Sequence, residues 1–418
     1  MLSEADIRRD VEVFLDEQWD STLSVREWWQ RLAASRYGFS TLPEPFGHGF
    51  NRAQAAVVVA ALRERGAMGS PSGVGTMLAL PTILHHGTDA QIKRFIPPLI
   101  DGSEGWCQLF SEPGAGSDLA GLQTRAVRDG DEWLVTGQKV WTSTGQHADF
   151  GILIARTNPE LPKHQGISYF LLPMRQPGVD VRPLREMTGH AVFNEVFLDE
   201  ARVSDAFRLG DVGAGWAVAN TTLSHERAGI GDSGGGFGRA APGSIAGHLD
   251  RPVSDYLTSS ARPQVSQGSV SPGTIARFIE MARGRELLGD AVLRQQIADL
   301  YIRTHVLRWC LQRSTAAPAD RTGVEGPLAK VAMTDLVRRA RALGGAIWGP
   351  DAQLWGRDAV TGGWLQEFTV FSPAPSIYGG TDEVQRNIIG ERGLGLPKEP
   401  GHPRETPFKD LVANTIRS

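Results

Sequence analysis

The sequence predicts an α+β chain of three successive regions: helical, then β, then helical again. Three observations predict it. Up to about residue 102 the apolar positions recur at helical spacing. From Gly105 to about residue 208 the apolar runs are short, β-branched or aromatic, and punctuated by Gly, Pro and Asn. From Gly213 the helical period returns, and strand and helix never alternate as a dinucleotide-binding fold requires.

Residues 4–17 place Ile7, Val11, Phe14 and Leu15 on one helical face, and Trp28, Trp29 and Leu32 mark a second helix. AQAAVVVAALRER, residues 53–65, is apolar enough to predict a buried helix. IKRFIPPLIDG closes the first region. EWLVTG, GILIAR, ISYFLLP and NEVFLD read as strands of a sandwich or barrel. WAVANTTLSHERAGI, VLRQQIADLYIRTHVLRWCLQR, PLAKVAMTDLVRRARALGG and TDEVQRNIIGER read as helices. The second of these lines up Leu293, Ile297, Leu300, Leu307 and Leu311. Residues 232–273, rich in Gly, Ser and Pro, read as a flexible surface insertion, or alternatively as a lid. The expected domains are 1–103, 104–210 and 211–418.

A chain of 418 residues is too long for one small core. Its net charge of −4 gives no basic excess for nucleic acid or an anionic membrane surface. The two cysteines, Cys107 and Cys310, do not indicate a disulfide framework. No apolar run approaches the roughly 20 residues that span a bilayer, and MLSEADIRRD has acids where a signal peptide has its apolar core. The expectation is a cytoplasmic protein that binds neither nucleic acid nor membrane.

Two stretches carry ligand chemistry. In SEPGAGSD, Ser111 to Asp118, Gly114 and Gly116 let a ligand approach the backbone, and Ser111 and Ser117 add hydroxyls. Successive N–H groups there can form an anion-binding nest; the plainer alternative is an ordinary Gly/Pro turn. In GQKVWTSTG, Trp141 precedes Thr142 and Ser143. A planar ring beside hydroxyl donors suits a flat heteroaromatic cofactor; a strand-end Trp covering the core is the alternative.

WCQLFSEPGAGSDLAGL, GQKVWTS, LSHERAGI and IYGGTDEVQRNIIGERGLGLP, with HGTDAQIKRFIPPLIDG upstream, resemble in that order the acyl-CoA dehydrogenase family, above all its actinobacterial-type branches. The resemblance implies a helical N-domain, a β-barrel and a C-terminal four-helix bundle. It implies non-covalent FAD between barrel and bundle, α,β-desaturation of an acyl-CoA thioester, and an electron-transfer flavoprotein as acceptor. It places Gln108, Phe110, Ser111, Gly116 and Ser117 along the flavin or its ribityl-phosphate chain, and Trp141 and Ser143 beside its ring. Thr381 and Glu383 would contact FAD from the bundle. Arg341, Gly344 and Gly345 of RALGG match a segment that reaches a neighbouring subunit's FAD. Ser117, Arg227 and Gly380 would contact substrate.

The family's catalytic carboxylate often stands at the position of Gly379. Glycine there deletes the base but keeps the N–H that stabilises the enolate oxygen. Some members draw the base from another helix, and that position falls on Glu226, with Arg227 as a tuning neighbour; a structural carboxylate is the alternative. The small residues Ala228, Gly229, Gly231 and Gly234–Gly236 after it either leave room for a bulky or branched acyl group or merely begin the flexible insertion. Glu383 is a rival acid, and Asp382 reads as N-terminal helix charge. ARGRELLGDAVLRQQIADLY lacks the family's cross-dimer Phe, and Ala291 stands where its Gln would be. The expected assembly is a homodimer or homotetramer, with a heteromer open. The rival functions are a flavin monooxygenase of the same fold and a non-catalytic subunit.

Overall fold

The computed structural model describes residues 2–232, 242–257, 270–315, 324–398, 403 and 405–411, without the side chains of 227–232 and 314–315. The chain opens with α1 (Glu4–Gln18), α2 (Val25–Ala34) and α3 (Arg52–Glu64), then a π turn, α4 (Leu80–His86) and α5 (Asp89–Ile100). Their starts are written in the sequence. Ser24 with Glu27, Asn51 with Gln54 and Thr88 with Gln91 each form a reciprocal capping box. Ile7, Val11 and Leu15 pack against Trp28, Trp29 and Leu32, and both indoles donate to carbonyls, Trp28 to Met68 at 2.7 Å and Trp29 to Gly69 at 2.9 Å. The expectation of a buried helix at 53–65 is corrected. Only Val58, Ala61 and Leu62 of α3 are buried, and Val59 is 62% exposed, because α3 lies at the surface with one face on α1.

The middle of the chain is one eight-stranded mixed sheet in the order β6-β7-β3-β2-β4-β5-β8, with β1 beside β4. The strands are β1 (Trp106–Leu109), β2 (Arg125–Asp129), β3 (Glu132–Ser143), β4 (Phe150–Arg156), β5 (Ile167–Pro173), β6 (Val179–Leu184), β7 (Phe193–Ser204) and β8 (Arg208–Leu209). GILIAR and ISYFLLP read as unbroken apolar runs because both their faces are covered. Leu153, Ala155, Phe170 and Leu172 point into the sheet's own core, while Ile152, Ile154, Tyr169 and Leu171 pack on α4 and α5. β3 and β7 alternate instead, with one face outward.

The last region holds α6 (Gly215–Asp232), α7 (Ser254–Leu257), α8 (Pro272–Gly284), α9 (Ala291–Thr315), α10 (Glu325–Trp348), α11 (Trp364–Phe371) and α12 (Asp382–Ile388). Phe278 of α8, Leu300 of α9, Val337 and Ala340 of α10 and Leu365 and Phe368 of α11 share a core. Among the described residues no helix is long and apolar enough to cross a membrane.

The reading of 232–273 as a loose insertion is corrected for 242–257. Leu249 is 1% exposed and Val253 fully buried, both in the core of the first helices. The backbone follows them, with Val25 N donating to Arg251 O at 2.9 Å, Arg26 N to Leu249 O at 2.8 Å and Val253 N to Leu23 O at 2.8 Å. Two apolar side chains in a Gly/Pro-rich stretch suffice to anchor it. Residues 233–241 and 258–269 lie outside the described residues.

Candidate active site

SEPGAGSD connects β1 to β2. Glu112 and Ala115 exchange backbone hydrogen bonds of 3.0 and 3.1 Å around Pro113-Gly114, which leaves Gly116 and Ser117 exposed beyond the turn. Val140 N donates to Ser111 O at 2.9 Å and ties the loop to β3. Beneath it, the Glu112 carboxylate accepts from Gln123 N at 2.6 Å, Thr124 N at 3.0 Å and Lys139 Nζ at 2.9 Å. Lys139 is fully buried and also donates to Phe110 O at 3.0 Å. Burial works against the Glu112 charge, but Lys139 and the hydrogen bonds outweigh it and hold the carboxyl below its usual range. Burial likewise lowers the Lys139 ammonium, with Glu112 opposing. Sequence reading missed this pair; a lysine inside the strand EWLVTGQKVW was the signal. The Phe110 ring is 4% exposed and packs edge-on against Tyr169, so it belongs to the core under the loop.

Trp141 stands where the β3–β7 register shifts between Lys139 and Thr142. The bulge puts Trp141 at φ +62°, a left-handed conformation that costs a tryptophan about 1–2 kcal/mol. The indole is turned outward, 57% exposed, with its edge against Phe193. Beside it Thr142 Oγ1 is buried and has no hydrogen-bond partner among the described residues, and Ser143 is half-buried. The Thr142 hydroxyl is fully buried, so of this pair only the exposed indole is open to a flat ring such as an isoalloxazine.

Glu226 lies on α6, and α6 is pinned by hydroxyls. Thr222 Oγ1 lies 3.0 Å from the Tyr169 hydroxyl of β5 and 2.9 Å from Thr82 Oγ1 of α4, and Thr221 meets His86 Nε2 at 2.8 Å. One turn beyond Thr222, on the same face, Glu226 Oε2 accepts from Gln108 Nε2 of β1 at 3.3 Å. Gln108 and Glu226 are thus brought together at the end of the strand that enters SEPGAGSD. The side chain of Arg227 and the small residues after it lie outside the described residues.

Gly379 and Gly380 form the bend before α12, at φ +63° and +82°. The left-handed φ of Gly380 is what favours glycine there; a Cβ would also lie 2.6 Å from the flexible end of Gln385, at Nε2. Thr381 is the N-cap of α12, its hydroxyl accepting from Val384 N at 3.2 Å, and Glu383 is exposed near Arg386. Asp382 stands in the first turn of α12, as read from the sequence, but it is more than helix-end charge. It is 1% exposed and accepts from Lys330 at 3.1 Å, Thr334 at 3.0 Å and Arg338. Burial opposes its ionisation, but Lys330 and Thr334 win and keep the carboxyl below the usual range. In RALGG, Arg341 donates to Ser372 Oγ at 3.3 Å. Gly344 is a packing glycine, since a Cβ there would come within 2.3 Å of Leu365 Cδ1, and Gly345 has open space beside it.

Family models for the acyl-CoA dehydrogenase N-terminal, middle and C-terminal domains match residues 7–103, 107–201 and 276–394. The chain is 34% identical over 377 residues to "Acyl-CoA dehydrogenase IpdE1" of Mycobacterium tuberculosis, covering 90% of this chain and 88% of that one. It is 36% identical over 366 residues to "Acyl-CoA dehydrogenase FadE34" of the same organism, but spans only 44% of that relative's length. Among solved structures, the ChsE4-ChsE5 complex from Mycobacterium tuberculosis superposes with a TM-score of 0.67 at 27% identity, over 95% of this chain and 98% of that one. With all three domains matched and an architecture to suit, this chain belongs to the FAD-dependent acyl-CoA dehydrogenase family.

Proposed function

We propose that the chain catalyses α,β-desaturation of an acyl-CoA thioester, with Glu226 as the base and the Gly379 N–H as a donor to the thioester oxygen. The approach of Gln108 Nε2 to Glu226 Oε2 at 3.3 Å carries this reading, because it turns the carboxylate towards the strand that runs into the SEPGAGSD loop. Gln108, Ser111, Gly116 and Ser117, with Phe110 packed in the core beneath them, would hold FAD from the sheet together with Trp141 and Ser143, and Thr381 and Glu383 would do so from α12. Arg341, Gly344 and Gly345 would serve a neighbouring subunit. Ser117, Arg227 and Gly380 would face the CoA ester.

Glu226 accepts the α-hydrogen as a proton, and the Gly379 amide stabilises the charge that develops on the thioester oxygen. FAD, held by the residues named above, would supply the acceptor for the β-hydrogen and its bonding pair, so that the α,β double bond remains. Glu226 keeps the proton until product leaves. An electron-transfer flavoprotein then accepts the electrons.

For the assembly we place a heteromer with a second chain of this fold ahead of a homodimer or homotetramer. FadE34 is more than twice as long as the stretch aligned here, and one structural relative is a ChsE4-ChsE5 complex. The absent Phe and Gln of the cross-dimer element agree with a partner that supplies what this chain lacks. The test is anaerobic mixing with octanoyl-CoA, isobutyryl-CoA, cyclohexanecarbonyl-CoA and a steroid-carboxyl CoA thioester, alone and with candidate partner chains. Bleaching of the flavin by at least one supports the reading; a fully FAD-loaded protein that none of them bleaches contradicts it.

A further inference from the structure

The loop from Ser376 to Asp382 is fastened more firmly than a turn between two helices needs. Arg338 of α10 holds both its ends with one nitrogen. Nη2 donates to Ser376 Oγ at 2.8 Å and also to Asp382 Oδ2. Asp382 is held again from below by Lys330 and Thr334, and Lys330 is 2% exposed. In the middle, Gln385 of α12 reaches back and donates from Nε2 to Gly379 O at 2.8 Å. On the N-terminal side Ile377 N and Tyr378 N both donate to Ala374 O, at 2.8 and 3.0 Å. The peptide group after the Gly379 Cα is therefore held by Gln385, and the peptide group before Tyr378 by Ala374 O, so the peptide that carries the Gly379 N–H lies between two anchored ones. The Gly379 N–H itself makes no hydrogen bond among the described residues.

A bend with two consecutive left-handed glycines has wide conformational freedom. A hydrogen bond weakens steeply as its angle departs from linear. An N–H meant to meet an oxygen only as charge builds on it must be oriented beforehand, since preorganisation is what makes such a donor effective. The bonds to Ser376, Gly379 O and Asp382 restrict the rotations that would swing this N–H away. Stability alone accounts for partners around a buried Asp382. It does not account for an arginine that spans both ends of the loop, or for a buried glutamine spent on the carbonyl next to the free amide.

We propose that Arg338, Asp382 and Gln385 are positioning residues that aim the Gly379 N–H at the thioester oxygen. This rests on the reaction proposed above. The test uses Gln385→Met, which keeps volume and removes the donor, and Arg338→Met, at a side chain 42% exposed, which leaves Lys330 and Thr334 on Asp382. Each FAD-loaded variant is mixed with whichever thioester of the panel bleaches the wild type, carrying ¹³C at the carbonyl. The carbonyl stretch is read by isotope-edited infrared difference spectroscopy. In the wild type the bound carbonyl absorbs at lower frequency than the free thioester. In both variants most of that shift is lost, and kcat for flavin reduction falls at least about tenfold while KM stays within about threefold. Arg338→Lys, which can serve one end of the loop at a time, falls between. Arg338→Met decides the question if Gln385→Met does not fold. Variants that keep the full shift, and lose activity only in proportion to folded, FAD-loaded protein, overturn the proposal and leave the proposed reaction standing. A wild type that bleaches yet shows no shift overturns the assignment of Gly379 as donor, and a wild type that none of the panel bleaches removes the reaction itself.

Discussion

Gln108 of β1 donates its amide to Glu226 of α6 across 3.3 Å, joining the strand beneath the SEPGAGSD loop to the helix that follows the sheet. A hydrogen bond to the charged form of a carboxylate favours that form, and a base must be charged to act.

Glu226→Gln keeps the shape and loses the proton acceptor. Flavin reduction by a verified acyl-CoA falls at least about 100-fold, while FAD content is unchanged. Stopped-flow absorbance under nitrogen measures it, and near-normal bleaching would move the base elsewhere, with Glu383 next to test.

Trp141→Gly separates the cofactor from the fold. The left-handed strain it relieves is about 1–2 kcal/mol and the Phe193 contact it loses about 0.5–1.5 kcal/mol, so FAD-stripped protein unfolds within about 2 kcal/mol of wild type. The FAD-to-protein ratio after gel filtration drops sharply. An unchanged ratio would remove Trp141 from the flavin site.

Glu112→Gln leaves the fully buried Lys139 without its counter-charge. The expected loss is about 3–5 kcal/mol in urea unfolding, the usual result of breaking one side of a buried pair. The SEPGAGSD loop, resting on Glu112, loosens its hold on FAD in the same variant.

Asp205 supplies a pH signature. The hydrogen bond from Arg208, foremost, lowers its carboxyl from 3.8 to about 2 against the opposing effect of burial, with the Trp133 bond and the charges of Arg208 and Arg128 adding to it. A folded pKa below the unfolded one means the stabilisation is complete above the unfolded value and fades as pH falls through the folded value. The difference in stability between wild type and Asp205→Asn is therefore flat above about pH 5 and shrinks between about pH 4 and 2. A difference that grows with acid would contradict the assignment.

Leu249→Ala empties a site that is 1% exposed inside the first helical core, and the expected cost is about 2–5 kcal/mol. A loosely attached insertion would lose almost nothing, so chemical unfolding distinguishes the two.

The order of helix, sheet and helix was legible because period and punctuation are local properties. The strands read from sequence, EWLVTG, GILIAR, ISYFLLP and NEVFLD, fall in β3, β4, β5 and β7. β1, β2, β6 and β8 were not read, being short or polar and held by neighbours distant in sequence. At the proposed site, Glu226 and Gly379 were singled out as a pairing of motifs. The anchoring of Asp382 was not, because Lys330, Thr334 and Arg338 stand on another helix and only the fold brings them to it. Composition misled at 242–257. Gly, Ser and Pro set the average there, while Leu249 and Val253 set the packing.

Leu249 and Val253 also impose an order on biosynthesis. The helices that leave the ribosome first lack part of their interior until the whole sheet and α6 have been made. During that interval the start of α2 around Val25 lacks its partner segment and stands open to solvent, and to whatever chaperone or neighbouring nascent chain is at hand. A fragment ending at residue 103 would remain in that unfinished condition permanently, which makes it a sticky polypeptide rather than an independent folding unit.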